Sequence, residues 1–198
     1  MASPGKVVER VIRNSDIILI VVDARDPEES MNKWLESIIR GSGKRFLYVI
    51  NKCDLVSRDE QKRVPNSVRI SAKERLGTLR LMRRIRGMAG GSNVVVGVVG
   101  FPNTGKSTLI NTLKGRKSAS TSPSAGHTKG MQKLRIRNNI MMMDTPGVLP
   151  KSRGKPEHIA IGAVDADKID DPEKAAADLI ESSDGRIEKH FGIIERDD

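Results

Sequence analysis

Three runs of apolar residues fix most of what this chain can fold into: DIILIVVD at 16–23, RFLYVI at 45–50 and VVVGVVG at 94–100. None alternates polar with apolar, so each reads as a strand covered on both faces. All are far too short to cross a bilayer. Strands of this kind belong to parallel sheets, whose crossovers need helices. The intervening sequence supplies them. Met31, Trp34, Leu35, Ile38 and Ile39 recur at helical spacing, and Gly41 stops that pattern. The alternation predicts a three-layer α/β fold around a doubly wound, mostly parallel sheet. In such sheets the usable crevice lies at the C-terminal ends of the strands.

The rest of the chain fits this frame. Ser3-Pro4, followed by Val7, Val8, Val11 and Ile12, predicts a capped amphipathic helix. SVRI (67–70) is a shorter strand, with SAK just after it. Leu76, Leu79, Met82 and Ile85 mark a helix whose outer side carries most of Arg75, Arg80, Arg83, Arg84 and Arg86. GMAGGSN (87–93) is a flexible connection. The strand at 94–100 runs into GFPNTGKS and a helix through about residue 114. Residues 115–130 form a polar loop, and LRIRNNIMMMD (134–144) predicts a hairpin turning at Asn138-Asn139. Lys133, Arg135 and Arg137 alternate along its first arm, as on an edge strand protected by charge. DTPG (144–147) leads into a basic loop, KSRGK, and then an acidic tail with a helix start at Asp171-Pro172.

GFPNTGKS fits the pattern G-x-x-x-x-G-K-[ST] between a strand and a helix, the layout of a phosphate-binding loop. Gly100 and Gly105 permit the tight path. The amides of Asn103, Thr104, Gly105, Lys106, Ser107 and Thr108 would face a β-phosphate at the helix N-terminus. Lys106 would bridge β- and γ-oxygens, and the Ser107 hydroxyl would hold magnesium. Asp144 ends a strand, where its carboxylate can hold magnesium through a water, and the Gly147 amide would sense the γ-phosphate. Thr128 can give magnesium a second hydroxyl, although Thr121 lies in the same loop. His127 reads as a solvated loop residue.

NKCD (51–54) ends the second strand. Asp54 can accept hydrogen bonds from both the ring N–H and the exocyclic amine of guanine, a pair that adenine lacks. Asn51 can fix the loop and contact the base, while the Lys52 stem covers its face. In SAK, Ser71, Ala72 and Lys73 complete the base site, with the Ala72 amide offered to the guanine carbonyl. Taken alone, NKCD would be a charged turn. Its place at a strand end beside SAK argues for a guanine reader, and so against a small-molecule kinase.

The motifs run NKCD, SAK, GFPNTGKS, Thr128, DTPG. This order resembles the circularly permuted GTPases, in particular the YlqF-type ribosome-assembly GTPases with their archaeal and nucleolar relatives. DARDP at 23–27 is similar to that family's signature after its first strand, AGHTKG to its switch-one threonine at Thr128, and DTPGV to its switch two. The resemblance covers roughly residues 5–165 and implies a P-loop, Ras-like G domain in permuted order. Residues 1–154 would form it: a base-reading half (1–86), a join (87–93) and a phosphate-binding half (94–147). Residues 155–198 would be a short acidic helical tail docked on it. Family members usually carry a longer helical C-terminal domain, so this chain reads as a short, archaeal-like member. In permuted order, switch two at Gly147 would be tethered directly to that tail.

The resemblance implies catalysis by Lys106, Thr128 and Gly147, with magnesium held by Ser107, Thr128 and Asp144. Asn103 is like the asparagine that potassium-activated GTPases use, which makes potassium a second candidate cofactor. Val148 stands where many switch proteins place a water-positioning glutamine, so hydrolysis of GTP to GDP should be slow without a partner or potassium. The expected function is a GTP-hydrolysing switch in assembly of the large ribosomal subunit. The alternative is a GTP-dependent binding module with little hydrolysis and a non-ribosomal partner.

Charge bears on the partner. Of the net +10, residues 1–154 hold 29 Lys/Arg against 12 Asp/Glu, and residues 155–198 hold 6 against 13. A basic body attracts rRNA or a ribosomal subunit, or simply keeps the chain in solution. With aromatics at 3%, RNA contact would run through phosphates and shape rather than stacking. Cys53 is the single cysteine and the first twenty residues lack a secretory layout, so the expected compartment is a reducing cytoplasm, without membrane contact. A monomer is the default.

Overall fold

The computed structural model describes residues 4–59, 62–115, 132–137, 139–144, 169, 171–181, 183, 185, 187 and 192. The elements are α1 (Pro4–Arg13), β1 (Ile17–Asp23), α2 (Lys33–Gly41), β2 (Arg45–Asn51), β3 (Ser67–Arg69), α3 (Thr78–Ala89), β4 (Val94–Gly100), α4 (Lys106–Lys114), β5 (Gln132–Arg137), β6 (Ile140–Asp144) and α5 (Pro172–Glu181). A one-turn 3₁₀ helix covers Cys53–Leu55. The six strands form one sheet in the order β3-β2-β1-β4-β6-β5. All neighbours are parallel except β5, which pairs antiparallel with β6. The order reverses between β1 and β4, the doubly wound arrangement expected from the buried runs.

Each central strand feeds two cores. Ile17, Leu19 and Val21 of β1 join Val96 and Val98 of β4 under Leu81, Met82 and Ile85 of α3 and Leu109 and Ile110 of α4. Ile18, Ile20 and Val22 face the other way, onto Val8, Val11 and Ile12 of α1 and Leu35 and Ile39 of α2. The period of two along a strand thus splits one apolar run between two layers. Burying such a side chain stabilises the fold by about 1.5–3 kcal/mol. Gly97 sets how closely α1 approaches β4: a Cβ there would lie 2.6 Å from Ser15 Oγ and 2.9 Å from Val11 Cγ1.

Two expectations are corrected. The phase assigned to α3 placed Leu76 and Leu79 on its inner face, but they are 54% and 71% exposed. The left-handed Gly77 (φ 70°) delays the helix to Thr78, and its inner face is Leu81, Met82, Ile85 and Ala89. The join is also shorter than 87–93, because residues 87–89 are the last of α3. Its four-residue remainder is tied down. The Gly90 amide donates to Arg86 O and the Ser92 amide to Ala89 O, both at 3.1 Å. The Val95 amide donates to Asp16 Oδ2 at 2.8 Å. The hairpin forms with a bulge between Arg135 and Arg137. At α5 the Asp171 carboxylate accepts from the Lys174 amide at 3.0 Å, the cap expected there.

Candidate functional site

Because β1, β2, β3, β4 and β6 are parallel, Asp23, Asn51–Asp54, Ser71–Lys73, Gly100–Ser107 and Asp144 all end at one edge of the sheet. The phosphate-loop candidate leaves β4 at Gly100, whose φ of 148° and close pass to β1 exclude a side chain: a Cβ would meet Val21 O at 2.3 Å. The chain then turns back through Asn103 (φ 56°) and Gly105 (φ 88°) into α4. Thr104 is buried, and its hydroxyl donates to Phe101 O at 2.9 Å. Lys106 is 6% exposed and donates from Nζ to the same carbonyl at 2.6 Å. Burial pulls the Lys106 ammonium down to about 8, against a smaller opposing pull from Asp144. Asn103, Ser107 and Thr108 are exposed.

Ser107 Oγ donates to Asp144 Oδ2 at 2.9 Å, which joins the start of α4 to the end of β6. A hydroxyl and a carboxylate held side by side are the hard oxygen donors magnesium takes, with water and phosphate filling the other positions. The residues present therefore fit that ion. Among the described residues no group of three or more His, Cys, Asp or Glu could hold a metal. Thr128 and Gly147, expected to complete it, lie outside the described residues, as do Thr121, His127 and Val148.

The two candidate half-sites meet at Asn51. Its side chain is 2% exposed. Nδ2 donates to Thr104 O at 2.8 Å, in the phosphate loop. Oδ1 accepts from the Ala72 amide at 2.9 Å, in the SAK loop. The expectation for Ala72 changes accordingly, since its amide is engaged by Asn51 rather than pointing at open space. Thr112 of α4 adds a second link, donating from Oγ1 to Ala72 O at 2.9 Å. The 71–76 loop is closed by the Ser71 amide to Leu76 O at 3.1 Å and by the Glu74 amide to Ser71 Oγ at 3.0 Å. Lys73 and Asp54 are exposed at the rim.

Lys52 takes a left-handed backbone (φ 65°) and places Nζ 2.8 Å from Asp23 Oδ2. Asp23 is fully buried and also receives the Arg25 guanidinium, Nε to Oδ1 at 3.0 Å and Nη2 to Oδ2 at 2.8 Å. Burial alone would raise the Asp23 carboxyl, but the hydrogen bonds from Arg25 and Lys52 outweigh it and hold the group below its ordinary value. Neither Asp23 nor Thr112 had been assigned a role from sequence. The signal for Asp23 was an acid closing an otherwise apolar strand; Thr112 gave none, being one polar residue on a half-exposed helix.

Known proteins resemble this chain in sequence and in fold. A family model described as 50S ribosome-binding GTPase matches residues 95–187. The "Uncharacterized GTP-binding protein MJ1464" of Methanocaldococcus jannaschii is 40% identical over 95% of this chain and 53% of its own length. Nucleolar GTP-binding protein 2 of Neurospora crassa is 33% identical over 83% of this chain and 29% of its own. The chain thus spans about half, or less, of the curated relatives it matches. Among solved structures, GDP-bound TM YlqF superposes with a TM-score of 0.59 at 21% identity, over 96% of this chain and 78% of its own. YjeQ from Thermotoga maritima follows at 0.50 and 20% identity, over 91% and 70%. At such identities the likeness is one of fold.

Proposed function

We propose, for a chain that belongs to the circularly permuted GTPases of the YlqF type, that it binds GTP across the two half-sites and hydrolyses it slowly as a switch in large-subunit ribosome assembly. The observation that carries the reading is the Asn51 bridge between phosphate loop and base loop. Two unrelated sites would have no need of a shared, buried side chain. A single nucleotide lying across both would.

In this reading Asp54 accepts from the guanine edge while the 103–108 amides and Lys106 hold the phosphates. Lys106 leaves Phe101 O to meet phosphate oxygens, which restores its full charge. Magnesium, held by Ser107 and Asp144 with Thr128, would neutralise charge on the β- and γ-oxygens. A water attacks the γ-phosphorus and the bond to the β-bridging oxygen breaks. Gly147 senses the γ-phosphate. With Val148 where a glutamine would orient that water, turnover is slow unless a partner or potassium at Asn103 assists.

The ribosomal part rests on the family description and on the basic surface. Arg80, Arg83, Arg84 and Arg86 of α3 and Lys133, Arg135 and Arg137 of β5 are all exposed. Such a surface suits rRNA phosphates. A reducing cytoplasm suits the free Cys53, and no helix among the described residues is long and apolar enough to cross a membrane.

The deciding experiment is a competition of GTP, ATP and XTP for the wild type and Asp54→Asn. The wild type should prefer GTP by orders of magnitude, on the order of 10⁴-fold over ATP. Asp54→Asn should turn toward XTP, whose extra carbonyl suits an amide. Equal affinity of the wild type for GTP and ATP would defeat the reading.

A further inference from the structure

We infer that Asp23 is a positioning residue for the nucleotide base, acting through the ammonium of Lys52. The inference rests on the nucleotide reading above and assigns a role to the one fully buried carboxylate of β1. Asp23 closes that strand in register with Asn51 of β2. The neighbouring chain segments are stitched there, the Ala24 amide donating to Asn51 O at 2.8 Å. Lys52 is the next residue, and its Nζ reaches back over this junction to Asp23 Oδ2 at 2.8 Å.

Stability alone gives little reason for an acid here. The other six residues of β1 are apolar and buried. An apolar side chain at position 23 would pack without stripping a charge of water, and buried ion pairs often contribute no net stability over such a replacement. Besides accepting from the Arg25 amide at 3.0 Å and from its guanidinium, the carboxylate fixes the end of Lys52. Lys52 also has φ 65° and ψ 32°, a backbone state that a long side chain adopts only when the surroundings hold it there. With backbone and tip both fixed, the stem between them becomes a rigid wall two residues from Asp54.

The consequence is preorganisation. A free lysine would lose its rotamer freedom only when the base arrived, which weakens binding. A lysine already anchored on Asp23 does not incur that loss. Arg25 has a different part. Its guanidinium neutralises Asp23 from the open side, with its side chain 38% exposed. It serves the folded state of Asp23 rather than the base.

The test is the release rate of a fluorescent GDP analogue, measured with thermal melting on the same proteins. Asp23→Asn should release it about tenfold faster or more, the loss expected for a charged hydrogen bond. Lys52→Met should do likewise. The double variant should be no faster than the faster single, since both changes cut one link. Arg25→Gln should melt earlier yet release within about twofold of the wild type. Wild-type release from Asp23→Asn, or single effects that multiply in the double, would overturn the inference. Should Asp23→Asn not fold, the pair Asp23→Asn/Arg25→Gln removes one charge of each sign. It is expected to show the faster release, and wild-type release from it would overturn the inference equally. A wild type that binds no GDP would instead defeat the nucleotide reading, and the role of Asp23 with it.

Discussion

Asn51 Nδ2 lies 2.8 Å from the carbonyl oxygen of Thr104, fifty-three residues further along the chain, and both side chains are buried. This bond joins the end of β2 to the loop after β4, across the intervening end of β1. Through its Oδ1 contact with the Ala72 amide, the same side chain makes three loops one rigid unit.

Asn51→Ala should therefore damage both half-sites. It strands the Thr104 carbonyl and the Ala72 amide in a buried setting, at about 1–3 kcal/mol for each group left unsatisfied. The expected result is a clear fall in melting temperature and a loss of GTP affinity of about a hundredfold, read by calorimetry. Wild-type affinity in a stable Asn51→Ala would sever the link drawn here between the bridge and nucleotide binding.

Gly105→Ala isolates the same junction from the other side. Gly105 has φ 88°, and a Cβ there would meet Asn51 Nδ2 at 2.3 Å. Gly115 has a similar φ of 79° with nothing within 4 Å of its would-be Cβ. Both alanine variants carry backbone strain of about 1–3 kcal/mol. Only Gly105→Ala should also abolish GTP binding, because only it displaces Asn51. A filter-binding measurement on the two variants separates strain from displacement.

The lowered Lys106 ammonium gives a pH dependence with a definite sign. In the free protein the group loses its proton near pH 8, against an ordinary value of 10.5. The unfolded chain holds more protons between those values, so this residue's burial penalty is full below about pH 8. The penalty fades as pH rises toward 10.5, and this contribution to stability grows with pH. Binding runs the other way. Phosphate favours the charged form, so GTP binding above pH 8 should draw a proton from solution and weaken with rising pH. Calorimetry in buffers of different ionisation heat should show proton uptake at pH 8.5–9 and nearly none at pH 6.5. Absence of uptake at the higher pH would count against Lys106 as the phosphate partner.

Potassium should accelerate turnover relative to sodium if Asn103 holds the ion at the phosphate loop. Asn103 is exposed, with φ 56°, on the outer turn of that loop. Phosphate release measured in matched potassium and sodium chloride should differ severalfold in the wild type and be equal in Asn103→Ala. Equal rates for the wild type would remove the monovalent site.

The frame of this molecule was legible because strands buried on two faces leave little choice. DIILIVVD, RFLYVI and VVVGVVG became β1, β2 and β4, and their polar ends mark the sheet edge where the motifs gather. Asn51 was legible as a polar residue closing β2, but its bond to Thr104 was not, since nothing local encodes a partner fifty-three residues away. The inner face of α3 was misphased because Leu76 and Leu79 mimic helical spacing while Gly77 holds the helix off until Thr78. Asp23 was legible as the acid that closes an apolar run and opens DARDP, but its pairing with Lys52 was not, since nothing local encodes a partner on the next strand.

The four residues between α3 and β4 have a mechanical consequence. They enter β4 at Val94, whereas the candidate pocket opens beyond Gly100, so the length of a seven-residue strand separates them. That is about 20 Å at the usual rise. The covalent tether thus lies at the heel of a pair of tongs and the jaws lie at the far end, with the zipped pairing of Ile17–Val21 to Val96–Gly100 filling the space between. Bending the heel cannot part such jaws, and a bound ligand would leave only when the tips themselves loosen.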